Sequence, residues 1–234
     1  MLASPGDLPR AADRSWAYEV KWDGMRVLAT MSRGRLRLTS RNGNDATTRF
    51  PEVSAAAPEG LAEGSVLDGE VVAFDAVGRP SFALLAPRIQ RAHVSGSAPA
   101  RVTFLSFDLL RLGDDDVTGL PYDRRRELLA EHVAGTSRVL VPDSFDDGAA
   151  LLASTAQQGL EGVVAKRRAS TYQQGVRSPD WVKVPHRRTR SLVIGGWKVR
   201  QDSPSRLASL LVGVPTDDGL LRYTQASPDA GAGV

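Results

Sequence analysis

Residues 35–40 read Arg-Leu-Arg-Leu-Thr-Ser, an alternation that fits a strand with one face in a core, and Gly34 supplies the turn before it. The same β character recurs along the chain. Residues 17–22 and 26–31 read as two more strands, and residues 65–74 and 102–112 are β-branched and aromatic enough to be strands as well. A turn is expected over 75–80, where Gly78 and Pro80 break the pattern. Helical signals are few. Residues 123–133 carry Leu128 and Leu129 on one face, which leaves Arg124, Arg125, Arg126 and Glu127 for solvent. Residues 146–158 begin with acids that suit a helix N-terminus and stop at Gly159, a good residue to follow a helix. Short strands follow at 161–166 and 180–184.

Beyond residues 185–190 the pattern changes to β segments alone, at 191–200, 206–214 and 220–224, and residues 225–234 are small, polar and expected to fray. The reading is an α+β domain over residues 1–187 and an incomplete β domain over 188–234. A length of 234 residues accommodates one large domain and one small one. No apolar run approaches the ~18 residues of a membrane span, and residues 1–10 lack the apolar stretch of a secretory signal. Cysteine is absent, which removes disulfides and Cys-ligated zinc and fits a cytosolic setting.

The net charge is only +3, but it is unevenly placed. Residues 166–206 hold eleven bases (Lys166, Arg167, Arg168, Arg177, Lys183, Arg187, Arg188, Arg190, Lys198, Arg200, Arg206) against two acids, Asp180 and Asp202. Such a block attracts phosphate, although a solvated face has the same composition. Tyr172, Trp181 and Trp197 lie within it, which argues against a disordered tail.

Several residues carry chemistry. Lys21-Trp22-Asp23-Gly24 joins two strand-like segments. A lysine attacks phosphorus only as the free amine, a state favoured by burial and by cationic neighbours. Trp22 is suited to desolvating it, and Gly24 to a tight turn that leaves the amine open to a ligand. Asp68-Gly69-Glu70 lies inside an apolar strand, where a carboxylate is costly unless it meets a cation, a metal or a hydroxyl. Glu161 opens another apolar strand that ends at Lys166. Glu70 and Glu161 together form a candidate site for a hard divalent ion, and salt bridges are the plainer use of each. Lys183 alternates with Val182 and Val184 and so faces the polar side of its strand. Phe107 is placed to stack on a purine or simply to fill core. Arg41, beside the Asn42-Gly43 turn, suits a phosphate at the rim.

These pieces fall in one order: KWDG, SRNG, LDGE, FDLL, EGVVAK, WVK. That order resembles the covalent nucleotidyltransferase superfamily of ATP-dependent DNA ligases, RNA ligases and mRNA capping enzymes. The intervening stretches resemble the bacterial end-joining DNA ligases, and the likeness covers roughly residues 1–224. It implies a nucleotidyltransferase fold (an ATP-grasp-like adenylation domain) of antiparallel sheets with flanking helices, followed by a partial OB fold. It also implies that Lys21 attacks the ATP α-phosphate to form lysyl-AMP. Glu19 and the Val20 backbone would lie by the adenine, on which Phe107 stacks. Arg26 would meet the ribose or nick, and Arg41 the nucleotide and the DNA 5′-phosphate. Glu70 and Glu161 would serve the ribose and Mg²⁺ or Mn²⁺, and Lys166 and Lys183 the α-phosphate. Arg187, Arg188 and Arg190 join Arg41 as DNA contacts. The partners implied are nicked double-stranded DNA, a DNA-end-binding protein and a repair polymerase, with the protein a cytoplasmic, nucleoid-associated bacterial monomer.

The sequence departs from the family pattern at two places. Pro185 stands where the family usually has a second lysine, and proline supplies no charge to a triphosphate. About three OB strands are found where the fold has five, with no late basic motif after Tyr223, so weak self-adenylylation is expected. Two other readings stay open: a non-catalytic nick- or nucleotide-binding module, and an RNA ligase or capping-type enzyme.

Overall fold

The computed structural model describes residues 1–90, 101–186, 192–200, 203–216 and 218–225. The chain divides into two compact units, Met1–His186 and Arg187–Val234. In the first, the strands are β1 (Leu2–Pro5), β2 (Trp16–Lys21), β3 (Met25–Ser32), β4 (Arg35–Ser40), β5 (Val66–Phe74), β6 (Arg101–Leu112), β7 (Asp115–Asp116), β8 (Val139–Leu140), β9 (Gly162–Arg167) and β10 (Arg177–Pro185). Its helices are α1 (Pro51–Ser54), α2 (Phe82–Gln90), α3 (Tyr122–His132) and α4 (Gly148–Gln157).

The strands form two sheets. One has the order β1-β10-β9-β2, and the other runs β4-β3-β5-β6-β7 with β8 paired to β6. All pairs are antiparallel except β1 with β10 and β6 with β8. Alternation decides what each face meets. Along β2, Trp16, Tyr18 and Val20 pack with Leu151 and Leu152 of α4, while Glu19 and Lys21 face the other way. Along β3, Val27 and Ala29 enter a core that also takes Leu36, Leu38, Leu67, Phe104 and Leu129, while Arg26 and Leu28 face the first sheet. Between the sheets lies a small aromatic cluster of Phe107, Tyr172 and Trp181. The cleft described below opens beside it.

Helix α4 behaves as its sequence suggests. The Asp147 carboxylate caps it by accepting from the backbone N–H groups of Ala149 and Ala150, and Gly159 follows with φ 69°. Helix α3 corrects the expectation. Arg125 is not solvated: its side chain is fully buried and makes a two-bond fork onto Asp108, at 2.7 and 3.0 Å. Its remaining amine donates to the backbone carbonyls of Leu120 and Ser170. Helix α2 lacks a sequence signal because Pro87 sits inside it.

The second unit contains β11 (Val193–Arg200), β12 (Ser203–Pro215) and β13 (Leu221–Gln225), an antiparallel sheet in that order. These are the three β segments expected beyond residue 190. Of residues 225–234, expected to fray, Gln225 instead closes β13 opposite Leu211, and 226–234 lie outside the described residues.

The Arg125–Asp108 pair joins α3 to β6 and to the chain at Ser170, with both side chains sealed from bulk solvent. Replacing Arg125 by Met alone leaves a buried acid unanswered and should cost about 3–5 kcal/mol in urea unfolding. The double replacement Arg125→Met, Asp108→Leu should recover most of that loss.

Candidate active site

Two glycines bring the sheets' working residues together. A Cβ on Gly24 would lie 2.3 Å from the Val71 carbonyl oxygen and 2.9 Å from Glu70 Cγ. The turn after Lys21 therefore runs directly against β5, and only a residue without a side chain fits. This close approach, rather than a left-handed backbone, is why the position is glycine. Gly162 has φ 145°, and a Cβ there would lie 2.3 Å from the Val184 carbonyl oxygen. It lets the start of β9, immediately after Glu161, lie against the end of β10 at Val184 and Pro185.

The resulting cleft is lined by Glu19, Val20, Lys21, Trp22, Arg26, Glu70, Phe107, Val164, Lys166, Trp181 and Lys183, with Ala3 at its edge. Eight of the residues singled out from sequence (Glu19, Val20, Lys21, Arg26, Glu70, Phe107, Lys166, Lys183) thus share one cleft, drawn from both sheets. Glu161 adjoins it through an ion pair with the Lys21 Nζ. Lys21 is partly buried, as expected, but its nearest charged neighbour is an acid rather than a cation. Arg41 lines a neighbouring cavity with Ser40, Asp68, Tyr172 and Gln174, and Arg26 belongs to the walls of both. Arg187, Arg188 and Arg190 lie outside the described residues.

The charges in the cleft fall into two sets. Glu19 and Lys166 are buried together: Lys166 Nζ donates to Glu19 Oε2 at 2.8 Å and to the Phe107 carbonyl at 3.3 Å. The ammonium also lies 4.5 Å from the Phe107 ring centroid and 4.3 Å from that of Trp181. Burial pushes the Lys166 amine down from its ordinary range, and the Glu19 charge opposes that shift. Arg26 is similarly engaged. It forks onto Asp68 at 3.0 and 2.6 Å, while the Tyr172 hydroxyl donates to the same carboxylate at 2.7 Å. By contrast, Lys183 and Arg41 have no acid partner among the described residues. They are the cations free to meet an added phosphate.

Sequence reasoning missed Asp68, Tyr122, Tyr172 and Trp181 as site residues. Asp68 had a visible signal, an acid inside an apolar strand, shared with Glu70. The three aromatics had none, because each resembles ordinary core until its hydroxyl or ring is seen against a charge.

Burial raises the Glu70 carboxyl to about 8, against the lowering pull of Arg26 and Lys21, and Asp68 and Glu161 add to the rise. A divalent cation fits this donor set: it would relieve two mutually opposed carboxylates flanking the Lys21 amine. Among the described residues no group of three His, Cys, Asp or Glu side chains forms a complete cage. A hard ion that keeps waters and phosphate oxygens needs only one or two carboxylates.

The family model described as ATP dependent DNA ligase domain matches residues 1–184. The multifunctional non-homologous end joining DNA repair protein LigD of Mycobacterium tuberculosis is 40% identical over 222 residues, which are 94% of this chain and 28% of that protein. DNA ligase C of the same organism is 35% identical over 218 residues, 88% of this chain and 60% of that protein. The chain therefore spans less than a third of the LigD protein. Among solved structures, mycobacterial DNA ligase D complexed with ATP and MES superposes with a TM-score of 0.70 at 39% identity, covering 95% of this chain and 69% of that one.

The raised Glu70 carboxyl has a consequence for stability. In the unfolded chain a glutamate titrates near 4.3, so between about pH 4.3 and 8 the folded state binds the extra proton. Its contribution is full below that window, declines as pH rises through it, and is lost above about 8. Melting temperature measured against pH should show this decline in the wild type and a flatter profile in Glu70→Gln. Equal slopes would show that Glu70 is ionised throughout.

Proposed function

Since the chain belongs to the family of ATP-dependent DNA ligase domains, we propose that it is the adenylation core of an end-joining DNA ligase, with Lys21 as its nucleophile. The observation that carries this reading is the convergence of Lys21, Glu70, Glu161, Phe107, Lys166 and Lys183 on one cleft. ATP is the adenylyl donor. Phe107 offers a ring for the purine beside Glu19 and the Val20 backbone, and Arg26 sits at the ribose end.

In the first step the Lys21 amine attacks the α-phosphorus. The new N–P bond forms as the P–O bond to pyrophosphate breaks, and pyrophosphate leaves with the bonding electrons. Lys21 must first leave its ion pair with Glu161 and give up a proton to solvent, to which its side chain is partly exposed. Lys183, unpaired and on the cleft wall, stabilises the charge that builds on the phosphoryl oxygens. Lys166 acts differently from the direct phosphate ligand that the resemblance implies, because Glu19 already takes its charge. It sets the floor of the cleft. Glu70 and Glu161 would hold the divalent ion, Mg²⁺ or Mn²⁺, which neutralises phosphate charge when bound.

In the second step AMP passes to a 5′-phosphate at a nick in double-stranded DNA, and in the third a 3′-hydroxyl displaces it. Arg41, in the cavity that adjoins Arg26, is placed for the DNA strand, and Arg187, Arg188 and Arg190 would extend the cationic track. The second unit, with its three strands, is read as part of an OB fold. A DNA-end-binding protein and a repair polymerase are the partners that the end-joining relatives suggest, and the setting is the bacterial cytoplasm.

Incubation with ATP and Mg²⁺ followed by intact-mass measurement should reveal an adenylyl adduct that Lys21→Ala abolishes. An adduct that persists in Lys21→Ala would overturn the assignment of the nucleophile. Pro185 stands two residues from Lys183, hence on the same strand face, and brings no cation. Pro185→Lys should therefore raise the rate of adduct formation, by roughly tenfold or more if it restores one charge-assisted contact to the triphosphate.

A further inference from the structure

Glu19 carries more hydrogen bonds than a residue that merely lies beside a base requires. It is 4% exposed, on the inner face of β2. The Lys166 ammonium occupies one side of Oε2, at 2.8 Å. The Tyr122 hydroxyl, from the first turn of α3, donates to Oε1 at 2.5 Å. Ser144 Oγ lies 3.3 Å behind that hydroxyl, and Arg126 Nε stands 4.0 Å from Oε1, while Arg126 itself donates to the Pro142 carbonyl. Tyr122 is buried, so bulk solvent does not reach its hydroxyl.

A lysine ammonium has only donors, and a carboxylate has about four acceptor positions. Lys166 donates to one oxygen and Tyr122 to the other, and each oxygen keeps one acceptor position. Two donors, one of them an ammonium, favour the carboxylate form, which accepts hydrogen bonds and has none to donate. Against a purine it rewards a 6-amino group and opposes a 6-oxo group, which would set oxygen against oxygen.

We propose that Tyr122 is a specificity-determining positioning residue: by donating to Glu19 it keeps that carboxylate a pure acceptor and so selects adenine over 6-oxo purines. The inference rests on the reading of Glu19 as the residue beside the base. Tyr122 acts from α3, more than a hundred residues along the chain from Glu19, and it does not line the cleft. Without its hydroxyl, Oε1 loses its only hydrogen-bond donor among the described residues, and the carboxylate is no longer held at the angle that meets a 6-amino group.

Calorimetric binding of ATP and of inosine triphosphate to the full chain tests this. The wild type should prefer ATP by at least tenfold. In Tyr122→Phe the preference should shrink by about tenfold, the size expected for loss of one bond to a charged group. In a Glu19→Gln background, whose amide presents both a donor and an acceptor, adding Tyr122→Phe should change the preference no further. Melting curves establish that each variant is folded. A Tyr122→Phe protein that keeps the full preference, or a Tyr122 effect of the same size in both backgrounds, would overturn the proposal. Should Tyr122→Phe fail to fold, the wild type still decides: equal affinity for the two nucleotides refutes an acceptor-only Glu19. Binding of neither nucleotide by the folded wild type would instead sink the nucleotide-site reading itself.

Discussion

A charge taken out of water costs several kcal/mol, and the interior between the two sheets is organised by how three basic side chains meet that cost. Arg125 takes Asp108, Arg26 takes Asp68, and Lys166 takes Glu19. Pairs of this kind are poor sources of net stability, since apolar side chains of equal volume do as well. What they supply is geometry. The fork of Arg125 onto Asp108 fixes where α3 crosses β6, and α3 in turn sets the height at which Tyr122 reaches Glu19. The fork of Arg26 onto Asp68 holds the guanidinium 5.5 Å from the Phe107 ring centroid and 5.7 Å from that of Trp181. A change at any one pair is therefore felt as a displaced cleft wall before it is felt as a lost interaction.

The strands and the motif residues were legible because each announces itself locally. The alternation over residues 35–40 can be only a half-buried strand, and β4 is that strand. Glycines 24 and 162 mark their motifs because a Cβ would collide with a neighbouring backbone, a demand written at one position. The acid partners were not legible. Glu19 finds Lys166 at a separation of 147 residues and Tyr122 at 103, and Arg26 finds Asp68 at 42. Nothing local distinguishes Arg125 from Arg124 or Arg126, which flank it in the same helix. Burial of one and exposure of another follow from where α3 rests on β6, which is a property of the packed sheets. Pro87 misleads in the opposite direction, since a proline reads as a break and α2 continues through it.

The arrangement also supports the proposal that the nucleophile is Lys21 and not Lys166, although both lysines line one cleft. Lys166 is 2% exposed, and its carboxylate partner is 5% exposed, so moving the amine would strand both charges. Lys21 is 22% exposed and its partner Glu161 is 35% exposed, so either can exchange its ion pair for water, a metal or a phosphate at small cost. A covalent nucleophile has to do this: it must be held near its target, yet surrender its resting partner when the substrate arrives. The tightly held cations cannot act this way, and their rigidity makes them useful as walls. The proposed adenylylation rests on that contrast, with one loosely paired amine set among charges that the two sheets have locked.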